Sequence, residues 1–125
     1  MQAIQWIEIP ALDLERAFKF YSSVLSGHVR KGTFGAQDVI LFDVPFQTGE
    51  AVGGSIVVRD DLKPSGIYGP ILYLNPFSTL SEAIQRVEAA GGQVLTPEIN
   101  LGKFGYAALC IDTEGNKIGL LSNEA

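Results

Sequence analysis

The sequence has very few of the residues that build disulfides, metal centres or nucleic-acid interfaces. Its 125 residues include one cysteine and one histidine. The lone Cys110 excludes an internal disulfide, and its apolar context, "AALCI", is typical of a small buried hydrophobe. The net charge is −5 and no basic patch is present, so nucleic acid is not an expected partner. The acidic balance is typical of a solubilising surface, although it would also attract a cationic ligand.

Targeting, membrane and nucleotide-binding features are also missing from the sequence. The N-terminus has no charged region followed by a long apolar stretch, so no secretory leader is expected. No apolar run approaches the roughly 18 residues of a membrane span, and a cytoplasmic location is therefore expected. Neither a phosphate-binding loop nor a G-x-S-x-G nucleophile elbow occurs. We expect no cofactor.

The chain does contain two similar amphipathic helices. A β-rich run, "AIQWIEIP", is followed by an apolar stripe at helical spacing, with Asp13 as the expected N-cap and Gly27 as the stop. Thr79 stands 66 residues after Asp13, before a second stripe, and Thr79 with Glu82 has the capping-box pattern. The two stripes match position for position: Leu14, Ala17, Phe18 and Tyr21 in the first, Leu80, Ala83, Ile84 and Val87 in the second.

Three strand candidates follow each helix, at about 28–31, 39–44 and 53–58, and at about 93–96, 106–111 and 117–121. The sequence therefore predicts an α+β fold of two βαβββ modules, 1–66 and 67–125, within one domain. We expect a curved mixed sheet with the helices on its convex face and a trough on the other face. Because Ile7 and Ile9 would meet the helix, Trp6 and Glu8 should face the trough.

The same segments resemble the vicinal oxygen chelate superfamily, which includes glyoxalase I, extradiol dioxygenases, fosfomycin resistance enzymes and bleomycin resistance proteins. The opening "IEIPALDLERAFKFY", the second helix with its glycine stop, "AIQRVEAAGGQVLTP", and the closing "DTEGNKIGLL" carry the resemblance over essentially the whole chain. Thr113 replaces the usual proline of the closing hairpin. The resemblance is strongest to small glyoxalase-like bacterial proteins, and it implies the paired-module fold.

The resemblance also implies four inward positions at which the family's metal enzymes carry their ligands. Counting back seven residues from each helix cap gives Trp6 and Leu72, and the closing-strand position is Gly119. The counterpart of Gly119 is Gly53, or Ser55 if the strands slip by two residues. A divalent metal needs three or four converging nitrogen, oxygen or sulfur ligands. These residues supply no such set, so a metal-dependent enzyme is the least favoured of three hypotheses.

The favoured hypothesis is a metal-free protein, similar to bleomycin resistance proteins, that binds a small organic molecule in the trough. The expected ligand-binding residues are Trp6, Glu8, Phe42, Ser55, Tyr68, Leu72, Lys103, Tyr106 and Gly119. The alternative is a lyase or isomerase in which Glu8 acts as general base, although no second acid or base is evident. Glu8 could instead pair with Lys103, Arg30 or a strand neighbour. His28 has no partner that the sequence reveals. The resemblance further implies a homodimer.

Overall fold

A computed structural model of the chain describes residues 2–125, so Met1, which opens the first predicted module, lies outside the described residues. The first module contains one helix and four strands: β1 (Trp6–Pro10), α1 (Leu14–Val24), β2 (Val29–Phe34), β3 (Gln37–Phe42) and β4 (Gly53–Val57). The second repeats this order: β5 (Tyr73–Leu74), α2 (Leu80–Ala89), β6 (Gln93–Asn100), β7 (Tyr106–Ile111) and β8 (Lys117–Ser122). No helix within the described residues is long and apolar enough to cross a bilayer.

Each module forms its own four-stranded mixed sheet. The strand orders are β1-β4-β3-β2 and β5-β8-β7-β6, and in both sheets the first pair is parallel while the other pairs are antiparallel. The identical topology confirms the predicted α+β fold of two βαβββ modules. The β-rich run from Pro70 to Pro76 yields only the two residues of β5 as strand, because prolines disfavour ladder hydrogen bonding at both of its ends.

Both predicted helix caps are formed. Asp13 Oδ1 accepts a hydrogen bond from Arg16 N at 3.0 Å, and Thr79 Oγ1 accepts one from Glu82 N at 3.3 Å. The Glu82 carboxylate lies 3.8 Å from Arg86 Nη1, one turn onward, and makes no return bond to Thr79 among the described residues. The second helix therefore begins with half of the predicted capping box.

The two helices bury their apolar faces in one core that both modules share. This core joins Ile9, Ile40 and Ile56 of the first sheet to Ile118 and Leu120 of the second. On α1 the buried face is wider than the predicted stripe, since Phe20 and Val24 are buried while Leu14 and Phe18 are half-buried; the helix packs against its sheet and also against α2. Cys110 lies in the same core, as predicted, and burial raises the pKa of its thiol to about 11.

A polar joint connects the β7–β8 hairpin of the second module to the start of α1. Glu114, at the hairpin, accepts backbone hydrogen bonds from Leu12 and Asp13, both at 2.9 Å. Its carboxylate also accepts from the Arg16 side chain, at 2.7 and 3.0 Å, and from the Thr113 hydroxyl, at 2.9 Å. Burial alone would raise the pKa of Glu114, but these hydrogen bonds outweigh burial and lower the pKa to about 2. The hairpin thus acts as a second cap for the first helix.

A buried tyrosine completes this joint from the middle of α1. The Tyr21 hydroxyl donates to Asp112 Oδ2, while Asp112 Oδ1 accepts from the backbone N–H groups of Glu114 and Asn116. Burial raises the pKa of Tyr21 well above its usual value, and Asp112 raises it further, so the hydroxyl keeps its proton. Asn116 Nδ2 reaches Pro10 O at 2.8 Å and ties the hairpin to β1 as well.

Candidate functional site

The inner face of the first sheet, on the side away from the helices, is covered by the protein's own aromatic side chains. Trp6 lies on this face, as predicted, with its ring stacked on Phe34 at 4.5 Å between centroids and an edge contact to Phe46 at 5.1 Å. Gly53 pairs with Trp6 across β1 and β4, and a Cβ there would lie 2.6 Å from the indole. The glycine makes room for the indole, which already packs against Phe34 and Phe46.

Glu8 also lies on the inner face, but its carboxylate is already bound by the protein. Arg59, at the start of the linker between modules, donates two hydrogen bonds to it, at 2.7 and 3.1 Å. The side-chain hydrogen bond with Glu8 is the largest cause of the raised pKa of Arg59. The partner is therefore neither Lys103 nor Arg30. A bidentate pair of this kind fixes the position and orientation of the carboxylate.

Two polar atoms on the same face have no hydrogen-bond partner within residues 2–125. Ser55 is fully buried, pairs with Glu8 across the strands, and its hydroxyl is unpaired. The indole Nε1 of Trp6 is buried and likewise unpaired. Leaving a buried polar group unpaired costs roughly 1–3 kcal/mol, so these atoms mark a place where a further polar group would be stabilising.

The predicted register of the second module is wrong by one residue at its opening strand. Tyr73, and not Leu72, pairs with Gly119, and a Cβ on Gly119 would lie 2.5 Å from the Tyr73 ring. The link from strand to helix is one residue shorter than in the first module, where Trp6 pairs with Gly53 seven residues before the cap. Leu72 consequently turns toward the shared core. The four positions form two pairs, one in each sheet.

The remaining predicted site residues do not lie on the inner faces. Phe42 and Tyr106 pack against the shared core, on the helix side of their sheets. Tyr68 is 78% exposed in the linker between the modules. Lys103 is exposed in the short turn before β7, with its ammonium group 5.3 Å from the centroid of the neighbouring Phe104 ring. The structure therefore keeps Trp6, Glu8 and Ser55 together and separates them from the other residues predicted for the trough.

The junction between the modules holds a cavity of about 510 Å³. We call it the junction cavity; its walls come from β1, β3, β5 and the loops beside them. Its lining is apolar apart from a histidine, an asparagine and a tyrosine, and comprises Ile4, Ile7, Leu25, His28, Phe42, Val44, Pro45, Ala51, Val52, Ile71, Leu72, Tyr73, Leu74, Asn75 and Phe77. Its volume lies within the range of roughly 300–1,000 Å³ that is typical of small-molecule sites. Phe42 and Leu72, which were predicted to bind a ligand, meet here.

His28 and Phe77 form one wall of the junction cavity. Their rings stack at 3.6 Å between centroids and 8° between planes. Phe77 has φ of 57°, a strained value for a residue with a side chain, and Asn75 Oδ1 holds this turn by accepting from Phe77 N at 2.8 Å. The sequence did not reveal this wall, because His28 and Phe77 are far apart in the chain and come into contact only when the modules pack.

The inner-face positions do not fit the metal centre of related enzymes. They hold Trp6, Gly53, Tyr73 and Gly119, of which a single phenol is the one potential ligand. Across the described part of the chain, no group of three histidine, cysteine, aspartate or glutamate side chains is placed to hold an ion. Divalent metals need several such ligands converging on one point.

Paired βαβββ modules with a cavity at their junction define the class of protein: a glyoxalase-like domain. A family model for the Glyoxalase/Bleomycin resistance protein/Dioxygenase superfamily matches residues 3–120, and the chain belongs to this superfamily. Among curated proteins, no sequence matches this chain significantly.

Solved structures agree with the family assignment at the level of the fold. A glyoxalase/bleomycin resistance protein from Albidiferax ferrireducens is 22% identical, with a TM-score of 0.71, covering 96% of this chain and 98% of that one. A glyoxalase-related enzyme from Fulvimarina pelagi is 17% identical, with a TM-score of 0.69 and coverages of 97% and 88%. A fosfomycin resistance protein from Listeria monocytogenes, solved with Mn(II) and dihydroxypropylphosphonic acid, is 13% identical, with a TM-score of 0.67 and coverages of 100% and 92%.

Proposed function

We propose that this protein binds a small, largely apolar organic molecule without the help of a metal, and that the junction cavity is its site. The observation that carries the proposal is the cavity itself, which is apolar, large enough for a small ligand, and built from both modules. Burial of apolar ligand surface would supply the binding free energy, at roughly 25 cal/mol for each Å² removed from water.

The metal-free part of the proposal rests on the residues at the family's inward positions. An indole, a phenol and two glycines occupy them, and Trp6 packs against Phe34 and Phe46. An ion seated there would lack carboxylate or imidazole ligands. A metal analysis of the purified protein tests this, and stoichiometric nickel, zinc, iron or manganese would overturn it.

A lyase or isomerase that uses Glu8 as general base is the weaker alternative. Arg59 binds both carboxylate oxygens of Glu8, so a proton transfer would first have to break the ion pair. The side chains of this pair are 27% and 32% exposed, which leaves the carboxylate partly reachable from solvent. We expect Glu8→Gln to leave ligand binding at the junction cavity unchanged.

The inner face of the first sheet is a second candidate position for an organic ligand. The unpaired Trp6 Nε1 and Ser55 Oγ support this, because a ligand carbonyl could accept a hydrogen bond from each. The stacking of Phe34 on Trp6 opposes it, since Phe34 would have to move to admit the ligand. Fluorescence of Trp6, the single tryptophan, reports directly on this face.

We also propose a homodimer, as in the family. Exposed aromatic side chains on the inner faces support it, with Phe34, Phe46 and Tyr73 all at least 40% exposed. Light scattering combined with size-exclusion chromatography measures the mass directly. A monomer at micromolar concentration would contradict the dimer and leave the ligand proposal standing.

Ligand binding is tested by titrating uniformly ¹⁵N-labelled protein with small neutral aromatic compounds and following backbone amide shifts. We expect the largest shifts around Ile7, Phe42 and Leu72. Leu72→Phe adds volume at the cavity wall and should weaken binding at least several-fold, whereas the matched control Leu109→Phe, on the inner face of the second sheet, should not. Shifts centred on Trp6 and Ser55, or no binding by any compound, would overturn the assignment of the site.

A further inference from the structure

We propose that the junction cavity selects a neutral aromatic molecule bearing one hydroxyl or N–H group, and that His28 accepts the hydrogen bond from that group. This inference rests on the proposed function, since it concerns the ligand of the same cavity. It assigns to His28 a role in ligand selectivity.

The tautomer of His28 is fixed by a hydrogen bond at its Nδ1 atom. Nδ1 lies 3.1 Å from the carbonyl oxygen of Leu25. A carbonyl oxygen only accepts, so Nδ1 carries the hydrogen, and in the neutral ring Nε2 is then an acceptor. Within residues 2–125 no group donates to Nε2. Nε2 can therefore accept a hydrogen bond from a ligand.

The ring is also held in place, which favours selectivity. Stacking on Phe77 fixes its plane, and the Asn75 side chain stabilises the strained backbone that positions Phe77. His28 is half-buried, so a hydrogen bond to it replaces only part of a hydration shell. Polar groups placed in this way in an apolar site orient ligands more than they attract them.

Charge chemistry excludes ionic ligands from the same cavity. None of its fifteen lining residues is Asp, Glu, Lys or Arg. A permanently charged ligand would lose hydration without meeting a countercharge, and this loss is costly in an apolar site. The cationic ligand that the acidic net charge would attract therefore does not fit this cavity, whereas a neutral hydrogen-bond donor does.

The test compares two probes that differ by one hydrogen-bond donor, 1-naphthol and 1-methoxynaphthalene. We expect 1-naphthol to bind about fivefold more tightly, the effect of one neutral hydrogen bond. Because the chain has a single histidine, the imidazole ¹⁵N signals belong to His28 without further assignment. We expect 1-naphthol, and not the methyl ether, to shift the Nε2 signal upfield as it gains a donor.

The variant His28→Phe keeps a ring to stack on Phe77 and removes the acceptor. We expect it to bind both probes with nearly equal affinity and to retain its affinity for the methyl ether. If neither probe binds the native protein, the proposed function fails. If both bind native protein equally and the Nε2 signal does not move, the role of His28 fails while the cavity assignment stands. The native comparison decides the matter even if the variant does not fold.

Discussion

At the level of single residues, the buried carboxylate of Glu114 joins the two modules. It accepts two backbone hydrogen bonds at the start of α1 and pairs with the half-exposed Arg16. A carboxylate with so many donors is far more stable charged than protonated, which is why its pKa falls to about 2. Its contribution to folding therefore depends on pH.

The sign of this dependence follows from the lowered pKa of Glu114. The stabilisation is fully present above the unfolded-state pKa, near 4.5, and is lost as pH falls through about 2. A shift of this size corresponds to about 3 kcal/mol at neutral pH. We expect Glu114→Gln to lower the free energy of unfolding by about that amount and to flatten its pH profile below pH 5, measured by urea denaturation. Glu15→Gln, whose carboxylate pairs with Lys31 at the surface, should change stability by less than about 1 kcal/mol. Equal profiles for the two variants would contradict the role of Glu114.

The two inner-face glycines should differ in their tolerance of a methyl group. In Gly53→Ala the new Cβ would meet an indole packed against Phe34 and Phe46, and we expect a loss of about 1–3 kcal/mol. In Gly119→Ala the Cβ would meet the half-exposed Tyr73 ring, which can turn toward solvent. The loss there should stay below about 1 kcal/mol. Chemical denaturation of both variants provides the comparison, and the reverse order would show that Tyr73 is the more firmly held ring.

At the level of elements, the two helices begin with different arrangements of donors and acceptors. α1 has the Asp13 cap and, in addition, the Glu114 carboxylate, whereas α2 has the Thr79 cap and a single backbone bond from Leu80 to Glu124 O, at 2.8 Å. Each helix therefore begins with one local cap and with partners far along the chain, and only at α1 is a distant partner a charged side chain.

We expect Thr79→Ala to destabilise the protein by about 1 kcal/mol, the usual effect of losing an N-cap. Its signature should be faster hydrogen exchange at the first amides of α2, Leu80 to Glu82, with α1 unaffected. Thr48→Ala, in an exposed loop where the Thr48 hydroxyl donates to Pro45 O, serves as the control and should leave exchange in both helices unchanged. Exchange that rises equally in both helices would show that the cap acts on the whole fold.

The sequence predicted elements well and side-chain partners poorly, for a physical reason. Helix stripes, caps and β-rich runs are local patterns, and the helices and most strands lie where they indicate. The strand register that relates the two modules is not a local pattern. The link before α2 is one residue shorter than the link before α1, so Tyr73 and not Leu72 lies opposite Gly119. The partners Arg59 of Glu8 and Phe77 of His28 are distant in the chain, and packing of the folded modules selects them.

At the level of the whole molecule, the shared core makes the two modules interdependent. Its residues come from both helices and both sheets, and Tyr21 of one module donates to Asp112 of the other. The predicted modules 1–66 and 67–125 therefore share one topology, and we expect the apolar face of each to be covered only when both are present.

We therefore expect a single cooperative unfolding transition for the full chain, with fluorescence of Trp6 and far-ultraviolet circular dichroism changing together. The separate pieces 1–66 and 67–125 should each lack dispersed NMR spectra, because each would expose half of the core. Two resolved transitions, or a well-dispersed spectrum from either piece, would show that the modules fold alone.

The link between Glu114 and the start of α1 also has a consequence for how the protein is made. The bonds from Leu12 and Asp13 to Glu114 span about a hundred residues, so the ribosome adds that many residues between synthesis of the donors and synthesis of the carboxylate. Until Glu114 has been synthesised, we expect the backbone N–H groups of Leu12 and Asp13 to be hydrogen-bonded to water. Formation of these bonds is therefore a late event in folding on the ribosome.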